Sequence, residues 1–221
     1  MLARTLLFAA ACAAALAPAE ATPPVGSAPC IACRAPLVDA SALFSTEDWV
    51  ALEGGVVLRH ESARTNTEDD HSAETHADGL IKRAPEQVWA VLTDFERWPE
   101  FMPHIRNTRV ERRAGAQLWV EQRYRILLVP LAHTTIYNLE AGDGRLSWRL
   151  DESAPHDIAG SKGAWALYAL ANGRETLVRY DAHISAGRAV PEFVEQMLRE
   201  RSLEQMLSGL RDEVLRRYPE N

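Results

Sequence analysis

Two closely spaced cysteines are the first residues in the sequence that could do chemistry. Cys30 and Cys33 lie between Pro29 and Pro36, and Arg34 occupies the position where haem attachment requires a histidine. A redox pair of the thioredoxin type follows a strand and begins a helix, which this segment rich in Pro and Ala does not support. We therefore predict a local disulfide between Cys30 and Cys33. Redox chemistry and transient metal binding are the alternatives.

Asp181 and His183 are the next candidates, since a carboxylate and an imidazole together could perform acid–base catalysis. Both lie in a run of period two, Glu175 to Ser185, whose more apolar face includes Val178 and Tyr180. Successive side chains of a strand point to opposite faces, so Asp181 and His183 are expected on the outer face. We predict no catalytic role for them.

Three potential metal ligands share one face of another predicted strand: Glu74, His76 and Asp78. A solvated strand face has the same composition, so we predict neither a metal site nor a cofactor here. The sequence also lacks a Gly-rich phosphate loop, a Ser-His-Asp set and zinc-ligand spacing.

The same alternation leaves three polar side chains for the inner faces of the strands: Gln122, Tyr124 and Tyr180. None of them is a strong base at neutral pH. The pattern therefore predicts no catalytic residue and favours a binding site.

The composition is that of a globular protein with one domain and appendages. The chain has 221 residues, of which 47% are hydrophobic. Its 24 Lys and Arg against 31 Asp and Glu give a net charge of −7. This balance argues against a nucleic-acid partner, because phosphate binding depends on basic charge. It also disfavours acidic lipid headgroups.

The first 21 residues have the pattern of a cleavable signal peptide. Met1 to Arg4 carries positive charge, Thr5 to Ala17 is apolar, and Ala19 to Ala21 has the small-x-small form that signal peptidase recognises. We expect cleavage after Ala21 and a mature chain in the periplasm or outside the cell. No later segment is long and apolar enough to span a bilayer.

Residues 22–53 are predicted to form a leader and residues 54–221 the folded domain. The leader is rich in Pro and Ala, and only Leu43 to Leu52 could dock, as one helical turn or two. A lipoprotein signal would instead use Cys12, which lacks the large aliphatic residue usual before such a cysteine.

The domain begins with two predicted strands, Val56 to His60 and His71 to Lys82. A helix then starts at Pro85, and a second short helical turn lies within Phe95 to Pro103. Six more strands follow with period two. They cover Thr108 to Arg113, Gln117 to Val129, His133 to Glu140, Arg145 to Asp151, Lys162 to Leu170 and Glu175 to Ser185. Asp143-Gly144 and Asn172-Gly173 are typical hairpin turns.

Pro191 to Tyr218 is predicted to form a long C-terminal helix. Its apolar positions recur at helical spacing, but the two halves point in different directions, so we expect a bend near Glu200 to Ser202. Gly209 would suit close approach to a sheet. This order of elements predicts an α+β fold in which a curved antiparallel sheet wraps around the C-terminal helix, with two short helices after the second strand.

The stretch from Ala84 to Pro103, APEQVWAVLTDFERWPEFMP, carries a resemblance to a known family. It resembles the first helical segment of the START-like, helix-grip superfamily, also called SRPBCC or Bet v 1-like. The polyketide cyclase/dehydrase and coenzyme Q-binding START branch is the most similar. The similarity covers about residues 54–218 and specifies the fold far more than the ligand.

The resemblance implies a cavity between the sheet and the long helix that holds an apolar molecule. Each residue assigned to its lining could instead be ordinary core. The predicted lining residues are Tyr124, Ile126, Leu128, Trp148, Tyr180, Met197 and Met206, with Trp98, Phe101 and Met102 at the rim.

We therefore predict an exported binding protein for an apolar or amphipathic small molecule such as a lipid, a quinone or a polyketide-like compound. The alternative is a cyclase, dehydratase or isomerase that uses the same cavity, in which a tyrosine polarises a carbonyl. A third possibility is a protein-interaction module. The sequence does not predict the oligomeric state.

Overall fold

The computed structural model describes residues 39, 43–60, 64–66, 71–126, 128–170, 173–185 and 203–220. Within these ranges the strands form one antiparallel sheet in the order β1-β3-β9-β8-β7-β6-β5-β4, and β2 also pairs with β3. Their bounds are β1 Leu58–His60, β2 Arg64–Asn66, β3 His71–Ile81, β4 Ile105–Ala114, β5 Gln117–Ile126, β6 Val129–Glu140, β7 Arg145–Leu150, β8 Gly160–Ala169 and β9 Thr176–Ser185. The predicted antiparallel sheet is confirmed.

The helices of the described ranges are α1 Thr46–Glu53, α2 Pro85–Leu92, α3 Trp98–Phe101 and α4 Leu203–Arg217, and a 3-10 turn, Phe95–Arg97, precedes α3. None of these helices combines the length and the hydropathy that a membrane span requires.

Helix α2 begins where the sequence predicts. Ala84 has an extended backbone and Pro85 occupies the first turn, where its missing N–H costs nothing. The backbone N–H of Ala84 donates to Gln87 Oε1 at 3.3 Å, which closes the N-terminus. Val88 and Trp89 are fully buried and anchor the helix on the inner face of the sheet.

Helix α4 covers the same inner face. Its Leu207 and Leu210 are buried with Ala77 of β3 and Val178 of β9 in the main hydrophobic core. The first part of the predicted long helix and its predicted bend lie outside the described residues.

Gly209 permits a close approach, but the neighbour is not the predicted sheet. A Cβ atom at Gly209 would collide with the carbonyl oxygen of Phe101. The glycine therefore lets α4 pack against the backbone of α3, which the sequence pattern did not indicate.

The outer face of the sheet carries a second layer that the predicted leader supplies. Helix α1 begins at the N-cap Ser45, whose side chain accepts from the backbone N–H of Asp48 at 3.1 Å. Leu52 is 1% exposed and packs with Leu80 and Leu177. The packed part of the chain thus begins before Gly54, because one apolar residue of the weakly amphipathic helix α1 fills a gap on the outer face.

One predicted strand boundary is wrong. The strand expected from Gln117 to Val129 ends at Ile126, and β6 begins at Val129 instead of His133. Pro130 does not close a strand but lies within β6, opposite Arg125. The chain therefore reverses between Ile126 and Val129, where the sequence has no typical turn residue.

Candidate functional site

Aromatic rings pack against one another on the inner face of the sheet. Tyr137 lies with its ring centroid 4.6 Å from that of Phe95 and 5.6 Å from that of Trp98. Tyr180 lies 5.3 Å from Trp148, with the two rings stacked. The ring centroids of Tyr137 and Trp148 lie 6.5 Å apart, so these two rings connect the Phe95–Trp98–Tyr137 group with the Trp148–Tyr180 group. The inner face therefore offers a series of flat apolar surfaces.

Trp148 lies flat on the sheet because its cross-strand neighbour is a glycine. Gly163 of β8 is the register partner of Trp148. A Cβ at Gly163 would collide with the Trp148 ring and with the carbonyl oxygen of Asp181. The indole N–H of Trp148 donates to Ser161 Oγ at 3.2 Å. This pair of residues fixes the position of one aromatic wall.

A polar group interrupts the apolar inner face on β5 and β6. Gln122 is 1% exposed, and its Oε1 accepts from the Thr135 hydroxyl at 2.9 Å and from the Tyr137 hydroxyl at 3.3 Å. Its Nε2 is buried and has no hydrogen-bond partner. The amide is thus held in place by its oxygen and presents an unused donor.

His133 lies directly across the strands from Gln122 and shares its face of the sheet. The histidine is 8% exposed, and its ring stacks on Tyr124 with centroids 5.1 Å apart. Its Nδ1 is also buried without a partner. Residues directly opposite in an antiparallel pair have Cβ atoms about 5 Å apart, so the side chains with the two unpaired nitrogens lie next to each other on the inner face. We call Gln122 and His133 the polar pair.

Burial sets the protonation of the groups around the polar pair. It lowers the pKa of His133 to about 4, against the opposing effect of Asp157, so the imidazole is neutral at pH 7. Burial raises the pKa of Tyr124, Tyr137 and Tyr180 well above the usual tyrosine range. All three phenols therefore stay protonated. In the described part of β3 and β5–β9, no position facing α4 holds Asp, Glu, Lys or Arg.

His133 is the functional candidate that sequence reasoning missed. The predicted strand began at His133, which left its facing undecided, and Gln122 was identified without a partner. That these two buried polar side chains lie opposite each other becomes visible only from the register in which Ile126 pairs with Val129.

The residues predicted at the cavity rim are more buried than expected. Trp98 and Met102 belong to the main core, whereas Phe101 is half-buried against it. The indole N–H of Trp98 donates to the carbonyl oxygen of Leu92 at 3.0 Å, which locks the ring under α2. The expectation of an exposed rim is wrong for Trp98 and Met102, because α3 packs between β4 and α4.

The other predicted lining residues divide between the interior and the surface. Tyr124, Trp148, Tyr180 and Met206 lie in or against the main core. Ile126 is buried in a second cluster with Leu131, Leu150 and Ile158, and Tyr124 contacts both clusters. Met197, Cys30 and Cys33 lie outside the described residues.

The inward placement of Leu128 is wrong. The side chain is 91% exposed, because Leu128 lies in the turn after β5 rather than in the strand.

Asp181 and His183 lie on the outer face, as predicted, and each lies close to a side chain of β3. His76 Nδ1 lies 2.6 Å from Asp181 Oδ1, and Glu74 Oε1 lies 3.7 Å from His183 Nδ1. Asp78 is buried and accepts two hydrogen bonds from Arg179 at 2.9 and 3.0 Å. Among the described residues, no three His, Cys, Asp or Glu side chains are arranged to hold a metal ion.

A separate cleft of about 490 Å³ opens between α3 and α4. Its charges are mutually paired: Glu213 accepts from Arg216 at 2.7 Å and from Arg217 at 2.6 Å. Hydrogen bonds from Arg216 and Arg217 lower the pKa of Glu213 to about 2. This charged cleft does not suit an apolar ligand, so we place the candidate site at the polar pair.

Solved structures share the fold at low sequence identity. An aromatase/cyclase from Streptomyces sp. R1128 matches with a TM-score of 0.57 and 16% identity, covering 66% of this chain and 96% of its own. A STAR-related lipid transfer protein from Xanthomonas axonopodis matches with a TM-score of 0.56 and 18% identity, covering 70% and 97%. A START superfamily protein from Mycobacterium smegmatis matches with a TM-score of 0.55 and 16% identity, covering 65% and 97%.

No curated protein matches the sequence at a significant level. A family model does match, over residues 81–211, and its description is polyketide cyclase / dehydrase and lipid transport. That range includes α2, the strands of the polar pair and most of the described part of α4. The chain has the helix-grip fold of the START superfamily protein. Because the family model matches more than half of its length, the chain belongs to the polyketide cyclase / dehydrase and lipid transport family.

Proposed function

We propose that this protein is an exported binding protein for an uncharged, apolar or amphipathic small molecule that carries a hydrogen-bonding oxygen. The ligand lies between the sheet and α4, with its oxygen at the polar pair. Membership of the family supports binding of a hydrophobic molecule or cyclase chemistry in this fold. The observation that carries the finer proposal is the two unpaired nitrogens in an apolar interior.

A buried polar atom without a partner destabilises a protein by about 1–3 kcal/mol. Two such atoms on facing residues are therefore an expensive arrangement for a plain core. The cost is recovered when a ligand supplies the missing partners. Gln122 Nε2 is a donor only, so it calls for an acceptor such as a carbonyl or hydroxyl oxygen. The neutral His133 ring accepts or donates at Nδ1 according to its tautomer.

The surroundings define the rest of the ligand. The rings of Tyr137, Trp148 and Tyr180 favour a flat or flexible apolar body. The facing positions of β3 and β5–β9 supply no countercharge, and burying an unpaired ion is far more costly than burying a neutral polar group. A neutral quinone-like, polyketide-like or lipid-alcohol compound fits these conditions better than a free fatty acid.

The enzymatic alternative has one specific observation in its favour, which is the buried imidazole of His133. A catalytic base works best when its pKa is near the working pH. A pKa of about 4 makes His133 a weak base at neutral pH. We therefore propose binding in preference to turnover by a cyclase, dehydratase or isomerase.

Native mass spectrometry of protein recovered from the periplasm of an expressing host tests the proposal. We expect a bound small molecule on the wild type and on Arg123→Gln, an outward-facing control on β5, but a much lower occupancy on His133→Phe. Equal occupancy of the three proteins would contradict the site. Recovery of an added polyketide-like compound with one water lost would favour a dehydratase.

Export is part of the proposal and rests on the signal-peptide pattern of residues 1–21. N-terminal sequencing of the periplasmic protein is expected to begin at Thr22. An intact Met1 on the mature protein would contradict export.

A further inference from the structure

Charged side chains that lie opposite each other on the outer face of the sheet are matched in sign. Directly opposite residues of neighbouring strands are close enough to interact, so opposite charges stabilise the sheet and like charges destabilise it. Three matched pairs of register partners occur in the described strands: Asp78 with Arg179, Arg109 with Glu121, and Glu140 with Arg145. The arginine reaches the carboxylate at 2.9 Å in the first pair and at 3.1 Å in the second.

The pair formed by Arg149 of β7 and Lys162 of β8 does not follow this rule. The two residues are register partners, and both are exposed. Their sequence neighbours Trp148 and Gly163 face the interior, so Arg149 and Lys162 point to the outer face. Among the described strands, no other two register partners from Lys, Arg, Asp and Glu have the same charge. Neither side chain makes an ion pair with a residue of the described ranges. The pair therefore destabilises the sheet unless an anion lies close to both side chains.

A third cation lies at the other end of the same row of side chains. Arg112 of β4 is the register partner of Trp119, and its guanidinium carbon lies 3.5 Å from the centroid of the Trp119 ring. Trp119 is opposite Ile136, and Ile136 is opposite Arg149. Neighbouring strands are about 4.8 Å apart, so the row extends about 19 Å across five strands. We call Arg112, Arg149 and Lys162 the basic row.

The nearby carboxylates are already bound by other groups. Asp151 interacts electrostatically with Arg149 and Arg112, but it accepts hydrogen bonds from the backbone N–H and the hydroxyl of Ser153. Glu121, on the same face of β5, accepts from two other arginines. The basic row therefore keeps an excess of positive charge, although the whole chain has a net charge of −7.

The surface that carries the basic row is the outer face of a continuous sheet. Helix α1 covers this face at β1 and β3, away from the basic row. None of the exposed large hydrophobic residues of the described chain belongs to the row from Arg112 to Lys162. A partner therefore binds here through charge, and no apolar side chain of the row is available to insert into a bilayer.

We propose that the basic row is the docking site for a short acidic segment of a partner protein. Arginine binds a carboxylate through two parallel hydrogen bonds, and lysine adds a compact charge. An extended segment rises about 3.3 Å per residue, so about six residues match the length of the row.

The size of the partner follows from the range of the charges. At physiological ionic strength, exposed charges interact over about 8 Å. A short segment therefore interacts mainly with the basic row. A planar anionic bilayer or a long nucleic acid would also meet the negative charge of the rest of the molecule. The docking does not depend on the proposed ligand, because the polar pair lies on the inner face.

Fluorescence anisotropy with hexaglutamate that carries a neutral fluorophore tests the docking at low ionic strength. Every variant is made in the whole chain. The row variant combines Arg149→Gln with Lys162→Gln. The matched control combines Arg106→Gln with Arg125→Gln, which removes the same charge from two exposed arginines. These arginines lie six residues from the row along β4 and β5, a distance of about 20 Å.

We expect wild type and control to bind hexaglutamate within about twofold of each other and to release it at high salt. The row variant is expected to bind about tenfold more weakly, because each exposed ion pair contributes up to about fivefold. Labelled hexaglutamine, which has the same length without the charge, should bind to none of the proteins.

Lys162→Glu separates binding from folding. The substitution places a carboxylate opposite Arg149, as in the matched pair of Arg109 and Glu121. We expect it to abolish hexaglutamate binding while the denaturation midpoint stays at or above the wild-type value. A midpoint below that of the wild type would contradict the argument from like charges.

Absence of wild-type binding to hexaglutamate would overturn the proposal, and so would equal binding by wild type and row variant. Co-sedimentation with phosphatidylglycerol vesicles is measured on the same proteins. Vesicle binding that the row variant loses, without hexaglutamate binding by the wild type, would assign the basic row to a membrane surface and equally overturn the proposal.

Discussion

The two halves of strand β5 show how differently the interior is built at its two ends. Toward α2, Leu118 and Val120 are completely buried in an apolar core. Toward the β5–β6 turn, Gln122 and Tyr124 face the same interior, and Gln122 keeps an unpaired Nε2. One half is packed for stability. The other half leaves polar groups unsatisfied, which is typical of a ligand site.

The largest effect is expected in the main core that covers the packed half of β5. Trp89→Ala removes a ring that is 1% exposed and should lower the free energy of unfolding by about 3–5 kcal/mol. Trp119→Ala is the control, because that ring is half-buried on the outer face under Arg112. Denaturant midpoints measure both. An equal decrease in the free energy of unfolding for the two variants would contradict a special contribution of the main core to stability.

The pH dependence of stability provides a second test, because His133 lies in the half of the interior with unpaired polar groups. The pKa of His133 is about 4 in the folded chain against 6.5 for an ordinary histidine. Between these values the unfolded state binds a proton that the folded state does not. The free energy of unfolding therefore falls by about 1.4 kcal/mol for each pH unit lost, or about 3 kcal/mol in total.

His133→Phe keeps the ring stack on Tyr124 but lacks this titration. The wild-type free energy of unfolding should therefore fall more steeply than that of the variant between pH 6.5 and pH 4, with the full stability of His133 present above pH 6.5. Parallel curves for the two proteins would contradict a buried, neutral His133.

The smallest effect is expected at Met206, which lies at the edge of the core and is half-buried. Met206→Ala should cost less than about 2 kcal/mol, whereas Leu207→Ala, one residue further along α4 and 3% exposed, should cost about 2–5 kcal/mol. Chemical denaturation of both variants decides this. Equal losses would indicate that Met206 is solid core and that ligand contact at this position is not supported.

Much of the fold was predictable because its signals are local. Pro85 and the apolar residues after it define α2, and the glycines at 144 and 173 define two hairpins. The β5–β6 hairpin had no such signal, since the sequence between Ile126 and Val129 contains no typical turn residue. Without the turn the register could not be fixed, so Gln122 was predicted to face inwards but His133 was not placed opposite it.

The burial of Trp98 and Leu52 was unpredictable for a different reason. Both depend on contacts between elements distant in sequence: α3 packs against α4, and α1 packs on β3. A pattern of residue types shows that a segment is apolar on one side, but it does not show what covers that side. The candidate site is similar, because its two residues come together only through the register of β5 and β6.

In the proposed function, the polar pair recognises an oxygen in an otherwise apolar ligand. Fluorenone and fluorene test it most directly, since they share a planar shape and differ in one carbonyl. We predict that the wild type binds fluorenone about tenfold more tightly than fluorene, as expected for one or two buried hydrogen bonds. His133→Phe and Gln122→Met should each reduce this ratio, and the double variant should bind the two compounds equally. Wild-type protein that binds neither compound, or both with the same affinity, would contradict the claim.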